Sequence, residues 1–545
     1  MALWACATAP GEPATPGEDP GTSAEEPAET LDTGEAVEAD PVAVLFRASL
    51  DLRGVRPTVA EIEAVEADPD ALEELLDAFV QDPRLEDRIV DLFGEIYLTR
   101  VDSLTVSAAS YGLDDEVGFA SAVGQEPLRI LARIVVEDLP FTELVVADWT
   151  MATDDLATAW DLDREDGDGW QVAAYTDGRP TAGILSTNGM WWRYGSTYSN
   201  ANRGRANAIS KILLCSDYLS RPIEFDRNVD LLDEDAVSEA VLTNEGCVGC
   251  HATLDPLAAY LWGFYYGYVY SRLDITSYHP ERESYWEEAT TVAPGFYGEP
   301  GNNLSDLGEQ LAGDNRLPEC LVEHTWELLL QRDVTLDDTN VLVDLREVLL
   351  SGEGTIKPLL RAIVDQPEYR IQATDDPQHA AVKLTRPELL ASQLEDLTGF
   401  RFTYDDYDLL STDTYGLRTL AGGVDGGYVT APAPQITATA GLVYERVAQA
   451  AAWYAVDAER GEQDTARLFP YVGFTETPDS GRDAMVAQIQ HLHLQLFGDR
   501  VQADGPEVEA NLELWTALYE AEASAEAAWA GLLSVLLRDP DFLLY

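Results

Sequence analysis

In GCVGCHATLDP (246–256), Cys247 and Cys250 are separated by two residues and His251 follows directly. Two thiols at that spacing can add to the two vinyl groups along one edge of a porphyrin. The adjacent histidine then lies under the iron as its proximal ligand, so Cys247, Cys250 and His251 carry the attachment signature of haem c. Other chemistries use the same residue types. A structural zinc site normally takes four ligands, and without a second C-x-x-C only a mixed site completed by His279 remains. Thiol exchange would place the pair at a helix start in a βαβ setting, which the surrounding sequence does not suggest. A local Cys247–Cys250 disulfide beside a histidine is the plainest alternative.

The other cysteines bear on this choice. Cys6 closes LWAC, which looks like the end of a bacterial lipoprotein signal. The charged start and most of the apolar region of such a signal do not precede it, as a start codon placed too late or a chance likeness would give. Residues 7–40 contain no Lys or Arg and repeat Pro, Gly, Ala, Thr and acidic residues, a composition that cannot bury a core and reads as a tether. A lipid anchor at Cys6 followed by a tether predicts an exported protein of the bacterial cell envelope, where thioethers and disulfides persist. With Cys6 acylated and two cysteines on haem, Cys215 and Cys320 remain. In an oxidising compartment they are expected to pair, closing a loop of about a hundred residues worth roughly 4–5 kcal/mol at best. Two buried free thiols are the alternative.

The position across the iron from His251 is less determined. Met190 is the best methionine for it, followed by Met151, His279 and His324, and each also suits a core or surface role. Arg203 and Arg205 could face haem propionates, and the aromatics from Tyr260 to Tyr270 could wall a haem or pack a helix. No G-x-S-x-G, H-E-x-x-H or phosphate loop occurs, so no familiar hydrolase constellation is present and enzymatic activity is left open.

Charge narrows the partners. Asp and Glu total 99 against 34 Lys plus Arg, a formal net charge of −65. Such a field repels nucleic acid and anionic lipid and reads as a solvated acidic surface, with attraction of a basic partner protein as the alternative. Envelope redox proteins are the partners a haem role would imply, and the membrane is expected to be reached only through the N-terminal anchor. The only lysines are Lys211, Lys357 and Lys383, a bias that reads as composition rather than function. No run of 18 apolar residues suggests a spanning helix.

The elements that must hold these residues are mostly helical. Capping boxes are predicted at Thr58/Glu61 and Thr385/Glu388, the second with Pro387 in the first turn and Gly399 as the stop. LLDAFVQDPRL (75–85), LLRAIVDQPEY (359–369) and LLSVLLRDPDF (532–542) share one design: an apolar helix ends before a proline and a large side chain follows. Their spacing is too irregular for a solenoid, and they mark the ends of three helical modules. The predicted fold is mainly α, a multi-domain helical protein with a loop-rich central cytochrome c-like segment. Its expected parts are 1–40 (truncated lipoprotein signal and acidic tether), 41–160 (N-terminal helical domain), 161–375 (central domain with C-x-x-C-H) and 376–545 (C-terminal helical domain).

Ordered stretches also resemble a family. LFRASLDLRGVRPTVAEI, PFTELVVADWTMATDDLA, RPTAGILSTNGMW, RGRANAISKILLC, GCVGCHATLDPLAAYLWGF, LGEQLAGDNRLPECLVEHTWELLLQRD and LTRPELLASQLEDLTG occur in that order. Together they resemble the large exported proteins first noticed in planctomycetes and myxobacteria, whose cytochrome c-like modules are domains of unknown function. The resemblance implies an exported, largely helical protein with Cys247, Cys250 and His251 in the haem-attachment positions. It supplies no substrate or catalytic residues. Leu254 stands where many members have Met or Ile before Asp-Pro, and LAAYLWGF replaces a more regular Gly-Phe stretch. The resulting expectation is a c-type haem lipoprotein of the cell envelope acting in electron transfer. The alternatives are a haem-free envelope scaffold or binding protein with a Cys247–Cys250 disulfide, and an oxidoreductase or polymer-degrading enzyme.

Overall fold

Asp40 begins the first helix, Pro41–Arg53, by accepting the backbone N–H groups of Val42 and Ala43 through its side chain, with Pro41 in the first turn. Gly54 ends that helix at φ 74°, a conformation that a side chain would strain. The computed structural model describes residues 37–545 apart from 102–103, 105–106, 222–228, 231, 266–276, 374–381, 406, 413 and 462–465. Cys6, most of the tether and Tyr266–Tyr270 lie outside the described residues. The protein is 59% helical and 5% strand, so the expected mainly α class holds. Among the described residues no helix is long and apolar enough to cross a membrane.

The strands are short and local. Gln171–Ala174 lies between Thr150–Ala152 and Asp163–Arg164 in an antiparallel sheet, with Met151 opposite Val172. Val37–Glu38 pairs antiparallel with Ile371–Ala373, tying the start of the described chain to the end of the second module. The boundary expected at 160/161 does not separate two cores. One apolar cluster draws on residues from Val44 to Tyr369, and a smaller one around Phe119, Leu156 and Trp160 also straddles the boundary. Most buried apolar residues from Leu390 onward build a separate large core around Leu394, Val447, Trp515 and Trp529, while Leu494 joins the first cluster.

The two predicted capping boxes differ. At Thr58 both reciprocal bonds form, with the Glu61 carboxylate accepting the Thr58 N–H at 2.7 Å. At Thr385 the box does not form. Pro387 opens the helix and leaves Arg386 as the cap, so Thr385 sits one residue too early. Its backbone N–H instead donates to Leu543 O, and Glu388 faces Arg100. All three proline-terminated helix ends turn their large residue inward: Leu85, Tyr369 and Phe542 are buried.

Two of those ends meet the first helix through polar groups. Asp51 is 1% exposed and Lys383 3% exposed, and the two form a buried ion pair. The Asp51 carboxylate also accepts Tyr369 OH at 2.6 Å and Tyr545 OH at 2.8 Å. Lys383 Nζ donates in addition to Leu329 O at 2.8 Å. Just after the helix, buried Arg56 donates to Gln393 Oε1 and Phe542 O, joining the first module to the last. Removing one partner of a buried pair leaves the other charge without compensation, which costs about 3–5 kcal/mol. Lys383→Met is therefore expected to destabilise the protein by that amount in urea denaturation. Pairing it with Asp51→Leu should recover part of the loss, and a neutral single variant would show that the pair carries no structural weight.

Candidate functional site

The C-x-x-C-H stretch is helical rather than looped. Asn244 caps the helix Glu245–Ala259 by accepting Gly246 N–H through its side chain. Cys247, Cys250 and His251 fall at positions i, i+3 and i+4, which places them along one side of consecutive turns. Cys250 packs partly against the large core and Leu254 and Leu257 are buried, while His251 keeps 24% of its side chain exposed. Cys247 and Cys250 are both free and partly exposed in this structure. A regular helix holds their main chains one turn apart, each thiol remaining partly accessible.

The Asp-Pro pair acquires a role here. Asp255 lies one turn beyond His251 and takes its Nδ1 at 2.9 Å. Arg203, from the helix Arg203–Leu214, clamps the same carboxylate through Nε at 2.6 Å and Nη2 at 2.9 Å. Burial pushes the Asp255 carboxyl up, but the hydrogen bonds from Arg203 and His251 and the Arg203 charge outweigh it and hold the group below its ordinary range. An ionised carboxylate can only accept, so Nδ1 is the donor in this contact and Nε2 is the ring nitrogen left for a ligand. A carboxylate behind a histidine is the arrangement that orients metal-binding imidazoles. The donor set therefore suits a covalently anchored haem: two accessible thiols, and a histidine with its second nitrogen tied.

The other sequence candidates go elsewhere. Met190 is fully buried in the helix Asn188–Arg193 and surrounded by the large core. Met151 is buried in its strand. His279 sits with Nδ1 3.3 Å from Glu281 Oε1, while its backbone N–H donates to Gly263 O. The propionate roles considered for two arginines are displaced by internal partners. Arg203 holds Asp255, and buried Arg205 donates to the carbonyls of Tyr194 and Phe264. Tyr260 donates to Gln310 Oε1, and Trp262 packs with Tyr265, Tyr198 and Tyr285, as expected of a packed helix end.

Cys215 and Cys320 stand together, with Cα atoms 5.2 Å apart and their sulfurs joined. His324 lies against them and not against the C-x-x-C-H helix, its Nε2 3.3 Å from Cys320 Sγ and 3.6 Å from Cys215 Sγ. The spacing Cys320-x3-His324 is one helical turn, as is His251-x3-Asp255. Both juxtapositions were available from helical periodicity, whereas the Arg203 clamp joins distant parts of the chain and had no local signal. Compared with family models, curated proteins and solved structures, the chain matches none.

The helix bearing Met190 is pinned by Glu126, whose buried carboxylate accepts Gly189 N–H at 3.2 Å, Thr150 OH at 2.8 Å and Tyr175 OH at 2.6 Å. Burial pushes this carboxyl from 4.5 up to about 7, against the pull of those hydrogen bonds. The folded state thus keeps a proton that the unfolded chain releases earlier. The stabilisation is fully present below the unfolded value and is lost as pH rises to about 7. Wild type should lose roughly 1–3 kcal/mol relative to Glu126→Gln between acidic and neutral pH, as read by urea denaturation. Parallel pH profiles for the two proteins would show that Glu126 ionises as readily folded as unfolded.

Proposed function

We propose that the protein is a c-type haem protein of the bacterial cell envelope that passes electrons between redox partners. Cys247 and Cys250 are the thioether anchors and His251 is the proximal ligand. The observation that carries this reading is the tie from His251 Nδ1 to the ionised, Arg203-clamped Asp255, on a helix that also presents two free, partly exposed cysteines one turn apart. Bound haem would supply one-electron chemistry, and the residues here would attach it, orient the imidazole and raise its basicity through Asp255. In this reading Cys6 anchors the protein to the membrane and the acidic tether holds the helical body away from it. Met190 is the sequence candidate for the opposite axial position, and its complete burial would require the core around it to open toward the iron.

The test is pyridine-haemochrome spectroscopy on protein exported from a strain with cytochrome c maturation. A covalent haem signal near one equivalent is expected, falling away in Cys250→Ala and in Cys247→Ala. Asp255→Asn should retain the haem but raise its reduction potential, because the imidazole loses its anionic partner. A folded wild-type protein without covalent haem under these conditions overturns the proposal.

A further inference from the structure

A second cluster of sulfur and nitrogen ligands lies outside the C-x-x-C-H helix. Cys215 Sγ, Cys320 Sγ and His324 Nε2 all lie within 4.8 Å of one another. Cys215 occupies the left-handed C-terminal cap of the helix Arg203–Leu214, at φ 47°. Cys320 and His324 come from successive turns of the helix Arg316–Leu330. Two rigid elements therefore supply all three groups. We propose that, once the disulfide is reduced, Cys215, Cys320 and His324 form a binding site for a borderline divalent metal ion of the zinc class.

The distances favour it. Tetrahedral coordination with metal–sulfur bonds of about 2.3 Å and metal–nitrogen bonds of about 2.0–2.1 Å places sulfur and nitrogen about 3.6 Å apart. The two sulfur–nitrogen separations are already 3.3 and 3.6 Å. Breaking the S–S bond lets the sulfurs part, and the histidine need not travel. Two thiolates also neutralise a dication, so the buried site gains no net charge when filled.

His324 carries a further sign. Its Nε2 lies 3.2 Å from Ile212 O, whereas its buried Nδ1 has no hydrogen-bond partner and faces Glu327 Oε2 at 3.8 Å. In the disulfide form the proton belongs on Nε2, where a carbonyl accepts it, and Nδ1 is left idle. With the proton on Nδ1 instead, that N–H faces the Glu327 carboxylate 3.8 Å away and the Nε2 lone pair, 3.3 and 3.6 Å from the two sulfurs, is free for a metal ion. That carboxylate–histidine arrangement behind a metal ligand is the one His251 and Asp255 already adopt. His324 and Glu327 also line a cleft of about 430 Å³ with Lys211, Gln331 and Arg332, so the histidine side of the cluster borders open space, while neither cysteine lines it.

The chemistry balances. A phosphine or dithiol reductant supplies two electrons and the S–S bond breaks; the two protons that complete the thiols come from one water, whose oxygen passes to the phosphine, or from the dithiol itself. The phosphine leaves as its oxide, or the dithiol as a disulfide. Metal binding then displaces both thiol protons as the two thiolates coordinate. The cluster thus holds either a covalent bond or an ion, according to the redox state of its surroundings, and this does not depend on haem at Cys247 and Cys250.

The test uses the full chain with Cys247→Ser and Cys250→Ser, so that the other C-x-x-C cannot contribute thiolates. The protein is reduced with a phosphine, freed of it without air, and titrated with Co(II). The expected result is thiolate-to-cobalt charge-transfer absorption with visible tetrahedral d–d bands, saturating at one equivalent and absent from the unreduced protein. His324→Gln, which leaves the disulfide intact for folding, should weaken binding by more than tenfold, and Glu327→Gln by about 10- to 100-fold. Bands of equal strength in unreduced protein, or undiminished affinity in His324→Gln, overturn the proposal. So does a reduced protein that shows no cobalt–thiolate band, whether its helical circular dichroism is native or is lost and not regained with Co(II).

Discussion

Asp51 has two oxygens, almost no contact with water, and partners drawn from three remote parts of the chain. Lys383, Tyr369 and Tyr545 converge on it, and Lys383 reaches on to the Leu329 carbonyl. Burying a carboxylate costs several kcal/mol unless its partners are in place, so this one group demands that the first helix, the second module and the chain's last residue be correctly arranged together. The arrangement extends to the candidate sites by direct contact. Leu329 belongs to the helix that carries Cys320 and His324, Cys320 is joined to Cys215, and the helix ending at Cys215 begins with Arg203. Arg203 grips Asp255, and Asp255 holds His251. The orientation of one imidazole is thus set by a series of close contacts that starts at a buried charge in the first helix.

What could be read from the sequence was local, and what could not was mostly long-range. The helical class, the Thr58 box, the Gly399 stop and the inward residues after the three prolines all follow from patterns a few residues wide. The Thr385 box does not form because Pro387 opens the helix one residue later than the box requires, and the Thr385 N–H pairs instead with Leu543 O, more than a hundred residues away. Across 160/161 the apolar residues on both sides share one cluster, a long-range packing that no local pattern signals. In the candidate site, His251 and its thiols were legible as a motif and Asp255 as its one-turn neighbour. The displacement of His324 from iron candidate to disulfide neighbour depended on how two helices cross, which no single stretch encodes.

Two of the three lysines, in a chain that otherwise uses arginine, are buried. Lys383 meets Asp51, and Lys357 meets Val136 O, Gln81 and Asp138. A compact ammonium with three donors in a tripod suits a small polar pocket, where a planar guanidinium would need a wider opening. Composition alone suggested no role for these residues, yet each lies where separate modules touch. The arginines divide differently. Arg56 and Arg205 thread through the interior to collect backbone carbonyls, and Arg361 and Arg500 gather carboxylates at the surface of a strongly acidic molecule.

The hydrogen bond from Tyr545 to Asp51 spans 494 residues of sequence. On a ribosome, the first helix emerges long before the residues that satisfy its charge, and Lys383 follows it by 332 positions. The polar arrangement around Asp51 is therefore complete only once Lys383 and Tyr545 have both joined the first helix.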